Sequence, residues 1–97
     1  MKGKIEKVLN EIIEICTVHG DIHEIILFGS RAKGTYLPKS DIDIAIKGKC
    51  FDLDILNGKI ESVDTLLTID LVDIENCHNE LLKREVKKYG ISLYSKI

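Results

Sequence analysis

Apolar and polar positions follow two periods along this chain, and each switch between them marks an element. Ile5, Val8, Leu9, Ile12, Ile13 and Cys16 recur at helical spacing, which predicts a helix over about residues 3–19 with one buried stripe and Gly20 as its stop. Ile25-Ile26-Leu27-Phe28 is a short, continuous apolar run rich in β-branched residues, the signature of a buried strand, here ending at Gly29. A short helical turn follows from Ser30, and Thr35 to Lys39, with the only proline, reads as a loop. Ile42, Ile44 and Ile46 then alternate with Asp43, Ala45 and Lys47; period two means a strand, closed by Gly48. Leu53, Leu56, Ile60 and Val63 return to helical spacing, with Gly58 a local weakness. Leu66 to Ile74 is a third strand, interrupted by Asp70 and Asp73. A last helix runs to about Lys88, with Leu81, Leu82 and Val86 inside, lysines in its last turn and Gly90 as the stop. Ile91 to Tyr94 forms a short closing strand. The order α-β-α-β-α-β-α-β predicts an α/β fold, a small sheet of three to four strands packed by helices, as a single domain over residues 1–97.

Composition narrows the function classes. With 44% hydrophobic and 31% charged residues in 97, the chain is globular in composition. Its apolar runs fall far short of the roughly 20 residues that span a bilayer. Met1-Lys2-Gly3-Lys4 leads into the amphipathic pattern rather than a signal-peptide core, so a cytoplasmic location is expected. A net charge of −2 gives no support to nucleic-acid binding. Cys16, Cys50 and Cys77 are odd in number with no CxxC, and His78 is adjacent to Cys77 rather than zinc-spaced. Incidental thiols are the expectation, and His19, His23 and His78 read as structural or surface residues.

The segment Gly29-Ser30-Arg31-Ala32-Lys33-Gly34 through Ser40-Asp41-Ile42-Asp43 carries candidate chemistry. A strand ending at glycine, with a hydroxyl residue opening a short helix, turns backbone N–H groups toward an anion, most often a phosphate. Gly29 and Gly34 have the separation of a Walker A loop, but Thr35 stands where that loop needs lysine, which rules it out. Asp41 and Asp43 stand two apart at the start of a strand and so share a face. The three isoleucines fix the register, so the carboxylates cannot slip apart. Such a pair calls for a cation between its members, and hard oxygen donors suit Mg²⁺ or Mn²⁺. Asp70 lies inside an otherwise apolar strand. If that strand neighbours the first, a third carboxylate joins the pair, and three can hold two metal ions for phosphoryl or nucleotidyl transfer. Asp73, nearer the strand end, is the alternative third ligand.

Gly29-Ser30, ten further residues, then Asp41-x-Asp43 resembles the signature of the DNA polymerase β-like nucleotidyltransferases. Phe28 through Gly34 with Ser40-Asp41-Ile42-Asp43 is similar to the minimal nucleotidyltransferase (MNT) branch, and the resemblance extends over nearly the whole chain. It implies a palm-like mixed sheet. It implies Asp41, Asp43 and Asp70 as catalytic and metal-binding residues, two Mg²⁺ ions, and ATP as substrate with Gly29, Ser30 and Arg31 at its triphosphate. Lys33 is a weaker candidate there, and Ser40 is expected to cap the turn. An acceptor hydroxyl would attack the α-phosphorus, AMP would be transferred, and Asp70 would serve as base or metal ligand. Relatives in the superfamily carry extra domains for DNA, RNA or drug, and no room for one is expected here. The MNT branch resembles the antitoxin half of modules with a HEPN-type RNase toxin, which implies AMP transfer to a tyrosine of such a partner within a hetero-oligomer. The competing expectation is a non-catalytic antitoxin that silences its partner by covering it. Transfer to a small molecule or an RNA end is disfavoured by the acidic pI of about 5.9.

Overall fold

The computed structural model describes residues 2–96. The elements are α1 (Lys2–Val18), β1 (Asp21–Phe28), α2 (Ser30–Lys33), β2 (Ile42–Cys50), α3 (Leu53–Ile60), β3 (Ile69–Asp73), α4 (Glu80–Tyr89) and β4 (Ile91–Ser95). One sheet takes the strand order β3-β2-β1-β4. β1 is antiparallel to both β2 and β4, whereas β2 and β3 are parallel across the α3 crossover. This is the mixed α/β architecture expected, with all four strands present.

Both sheet faces are covered. The face bearing Ile25, Leu27, Ile42, Ile44, Ile46 and Leu71 packs on Val8, Ile12 and Cys16 of α1 and on Leu56 and Ile60 of α3. Ile42, Ile44 and Ile46 lose all solvent contact, so the isoleucine ladder locks the β2 register as its period implies. The opposite face carries Ile26, Phe28 and Ala45 and is covered by α4 through Val86, with Ile74 beside it. Val86 is the only residue of α4 that is buried, and Leu82, Val72 and Cys77 pack half-buried around this second cluster.

Side-chain caps set the starts of the two later helices. Asp52 accepts from the Asp54 amide at 2.9 Å and the Ile55 amide at 3.3 Å, and Asn79 Oδ1 accepts from the Leu82 amide at 3.1 Å, relieving unpartnered first-turn donors. Gly90 does stop α4, but in extended backbone rather than the left-handed conformation. A Cβ there would lie 2.6 Å from Ile26 Cγ2, so close helix-to-sheet approach selects the glycine.

The structure corrects four expectations. Leu81 is 75% exposed: at helical spacing it lies well off the side of Val86 that meets the sheet. The third strand begins at Ile69, and Leu66 is fully exposed in the preceding turn. β2 continues past Gly48 to Cys50, because the irregular pairing of Asp21 and Ile22 brings their backbone where a Gly48 side chain would stand. Finally, α3 ends at Ile60, and Val63 is buried from the turn beyond it.

Candidate active site

The parallel register pairs Asp43 with Asp70 and the antiparallel register pairs Asp43 with Phe28. Registered residues on neighbouring strands share a face, so Asp70 stands beside Asp43 on the face that α4 covers. Asp41 precedes β2 on the same side, exposed, while Asp43 is partly buried. Asp73 alternates away from Asp70, opposite Ile46. It accepts from Asn76 Nδ2 at 2.7 Å, and its Oδ1 is buried without a hydrogen-bond partner.

Gly29 closes the site from β1. Its φ of 75° and ψ of −158° are open essentially to glycine alone. A Cβ there would lie 3.1 Å from Asp43 Cγ and closer still to Oδ2, so only bare backbone fits between the turn and the carboxylate. The Ala32 and Lys33 amides each donate to the Gly29 carbonyl at 3.1 Å. The Ser30 and Arg31 amides stand ahead of these, without intrahelical partners. A strand end, a backbone turn and a pair of carboxylates therefore meet at one point.

Arg31 holds the connecting loop. Its Nε donates to the Ser40 carbonyl at 3.1 Å and an Nη to the Pro38 carbonyl at 3.2 Å, and its guanidinium lies 4.9 Å from the Tyr36 ring centre. The Leu37 amide donates to Ser40 Oγ at 2.8 Å and the Ser40 amide returns a bond to the Leu37 carbonyl, which is the turn closure expected of Ser40. This loop delivers Asp41.

Lys33, a candidate for the triphosphate in the sequence, is instead engaged by two residues of α4 that the sequence did not single out, Glu85 and Tyr89. Lys33 forms an ion pair with Glu85 of α4, and its Nζ sits 5.2 Å from the Tyr89 ring centre. Glu85 is a fourth acid near the site. The Asp43 carboxyl is pushed above the ordinary carboxylate range, first by burial and then by the charges of Asp70, Asp41 and Glu85. The helical period of α4 alone could not show that Glu85 faces the acids.

Among the described residues, no group of three or more His, Cys, Asp and Glu side chains is arranged to hold an ion by itself. The donor chemistry still fits Mg²⁺, which takes one or two carboxylates and completes its shell with water and substrate phosphates rather than with an all-protein cage. The crowding of negative charge on Asp43 is the demand such a cation meets. A groove of about 560 Å³ between Lys47, Lys83 and Lys87 lies on the other flank of α4 and does not include the aspartates. The thiols take no part. Cys16 is buried and its pKa is pushed up to about 11 by burial, while Cys50 is exposed.

A family described as polymerase beta, nucleotidyltransferase matches residues 10–97. The chain belongs to that nucleotidyltransferase family. A Methanocaldococcus jannaschii protein, provisionally named a protein adenylyltransferase, is 30% identical over 94 residues, 84% of this chain and 94% of that protein. A chain of a toxin–antitoxin complex crystallised with AMP-PNP superposes with a TM-score of 0.73 at 28% identity, covering 91% of this chain and 73% of that one. A chain of the Shewanella oneidensis complex between a tri-AMPylated HEPN toxin and its MNT antitoxin gives 0.70 at 26% identity, over 94% and 72%. The nucleotidyltransferase thus shares its fold with chains of MNT–HEPN complexes. Among its described residues no helix is long and apolar enough to cross a membrane.

Proposed function

We propose that this nucleotidyltransferase transfers AMP from ATP to a hydroxyl, a tyrosine's, on a HEPN-type partner and thereby acts as its antitoxin. One observation carries the reading: Gly29 backbone lies against Asp43 while Asp43 is registered with Asp70. Phosphate-binding turn and carboxylates then address the same substrate group. The names borne by the relatives, a protein adenylyltransferase and an antitoxin complexed with an AMPylated toxin, supply the acceptor class.

In this mechanism the Ser30 and Arg31 amides, the Ser30 hydroxyl and the remaining Arg31 donors take the triphosphate, and Gly29 lets it approach Asp43. Asp41 and Asp43, with Asp70, would hold Mg²⁺, which supplies charge neutralisation at the attacking and leaving oxygens. Asp70, exposed on the edge strand, acts either as that third ligand or, outside the metal's shell, as the base that receives the acceptor's proton as the oxygen–phosphorus bond forms and pyrophosphate departs.

The test incubates the purified chain with a co-expressed HEPN protein, Mg²⁺ and ATP labelled at the α-phosphate. The acceptor band gains label, the Asp41→Asn/Asp43→Asn double variant gives none, and Asp70→Asn slows labelling by about 10²–10⁴-fold. If the double variant still silences the partner fully in cells, binding rather than catalysis is the mechanism.

A further inference from the structure

α2 is four residues long, with none buried and no side-chain cap at Gly29. A single turn of helix has almost no intrinsic stability, so the phosphate-binding turn needs external support. On one side Arg31 ties it to the 38–40 loop. On the other, Lys33 reaches across to α4, where its ammonium meets Glu85 and the Tyr89 ring. The paired side chains are only 34% and 30% exposed, so this contact is better shielded than an ordinary surface pair. α4 itself packs on the sheet through only two aliphatic side chains, buried Val86 and half-buried Leu82. The ion pair therefore joins two weakly anchored elements across the mouth of the site.

We infer that Lys33 and Glu85 are a positioning pair: bonded to each other, they hold the Gly29–Ser30–Arg31 turn at the distance from Asp43 that a bound triphosphate requires. Lys33 then acts on Glu85 and not on the phosphates, although its place in the motif suggests the reverse. The pairing has a second consequence. Glu85 already contributes to the negative charge felt at Asp43, and Lys33 offsets that charge where an anionic substrate must enter. The inference rests on the nucleotide-transfer reading for its consequence, but the structural link stands by itself.

The test compares Lys33→Met, Glu85→Gln and the reversed pair Lys33→Glu/Glu85→Lys with wild type. ATP binding is measured by calorimetry in Mg²⁺, and turn order by hydrogen exchange at the Ala32 and Thr35 amides, which bond to Gly29 and Ser30 carbonyls. Lys33→Met weakens ATP binding about tenfold and speeds both amides, Glu85→Gln does the same to a smaller degree, and the reversed pair returns both readouts to within about threefold of wild type. A direct phosphate ligand behaves oppositely: Glu85→Gln frees the lysine and tightens binding, and the reversed pair becomes the weakest binder. Either result overturns the inference, as does unchanged exchange in Lys33→Met. Failure of wild type to bind ATP overturns the nucleotide reading instead, and amide exchange alone then decides whether the pair orders the turn.

Discussion

Asp43 is where the site's cost is concentrated. Burial and the neighbouring Asp70, Asp41 and Glu85 all oppose its ionisation, holding its pKa above the ordinary value. The folded chain therefore binds this proton more tightly than the unfolded chain does. The contribution to stability is fully present below the unfolded pKa of about 4 and is lost as pH rises through the raised folded value. Asp43→Asn removes the ionisation and keeps the shape. The variant is expected to melt on the order of 2–5 °C above wild type at pH 7 without metal, with the gap closing toward pH 4. Calorimetric scans of both proteins across that range check it. A gap independent of pH would mean that the asparagine gains from some cause other than charge. The paired aspartates stood out in combination, because two acids at strand spacing alone read as readily as a solvated strand end, whereas the Gly29-Ser30 turn before them and Asp70 after them narrow the reading. Glu85 did not, because one acid among the charges of α4 looks like any solvated position until the helix is docked.

The elements show where periodicity suffices and where it fails. The helical stripe of α1 and the alternation in β2 were readable because each repeats over many residues and turns one face to the core. α4 offers only Leu81, Leu82 and Val86, and three positions do not fix a rotation. The helix settles with Val86 down and Leu81 in solvent. The start of β3 was misread for a similar reason, since Leu66 and Leu67 extend the apolar run but belong to the turn. The docking of α4 predicts a contrast between two aliphatic residues of one helix. Val86→Ala should cost about 2 kcal/mol, from lost burial and the void it leaves. Leu81→Ser should stay within about 0.5 kcal/mol. Urea midpoints at unchanged slope measure both, and equal losses would place Leu81 against the sheet after all.

At the scale of the whole molecule, a chain of net charge −2 brings acids from two adjacent strands to one point and aims a backbone turn at it. On the proposed reading a cation and an anion complete this site together, since either alone leaves charge uncompensated. Mg²⁺ with ATP should therefore stabilise the fold by mass action, by about 2.7 kcal/mol at one hundred times the dissociation constant. For a domain of this size that corresponds to a rise on the order of 10–20 °C in Tm. ATP with EDTA, or Mg²⁺ alone, should move Tm by far less. The Asp41→Asn/Asp43→Asn variant should show almost no ligand-dependent rise even though its own baseline is raised by the relief of repulsion, so each shift is read from that protein's unliganded melting point. A full rise in EDTA would show that the turn binds nucleotide without help from the carboxylates, and the acids would then need another role. A rise that needs both ligands and both aspartates ties the phosphate-binding turn and the carboxylates into one site, which is the condition for AMP transfer.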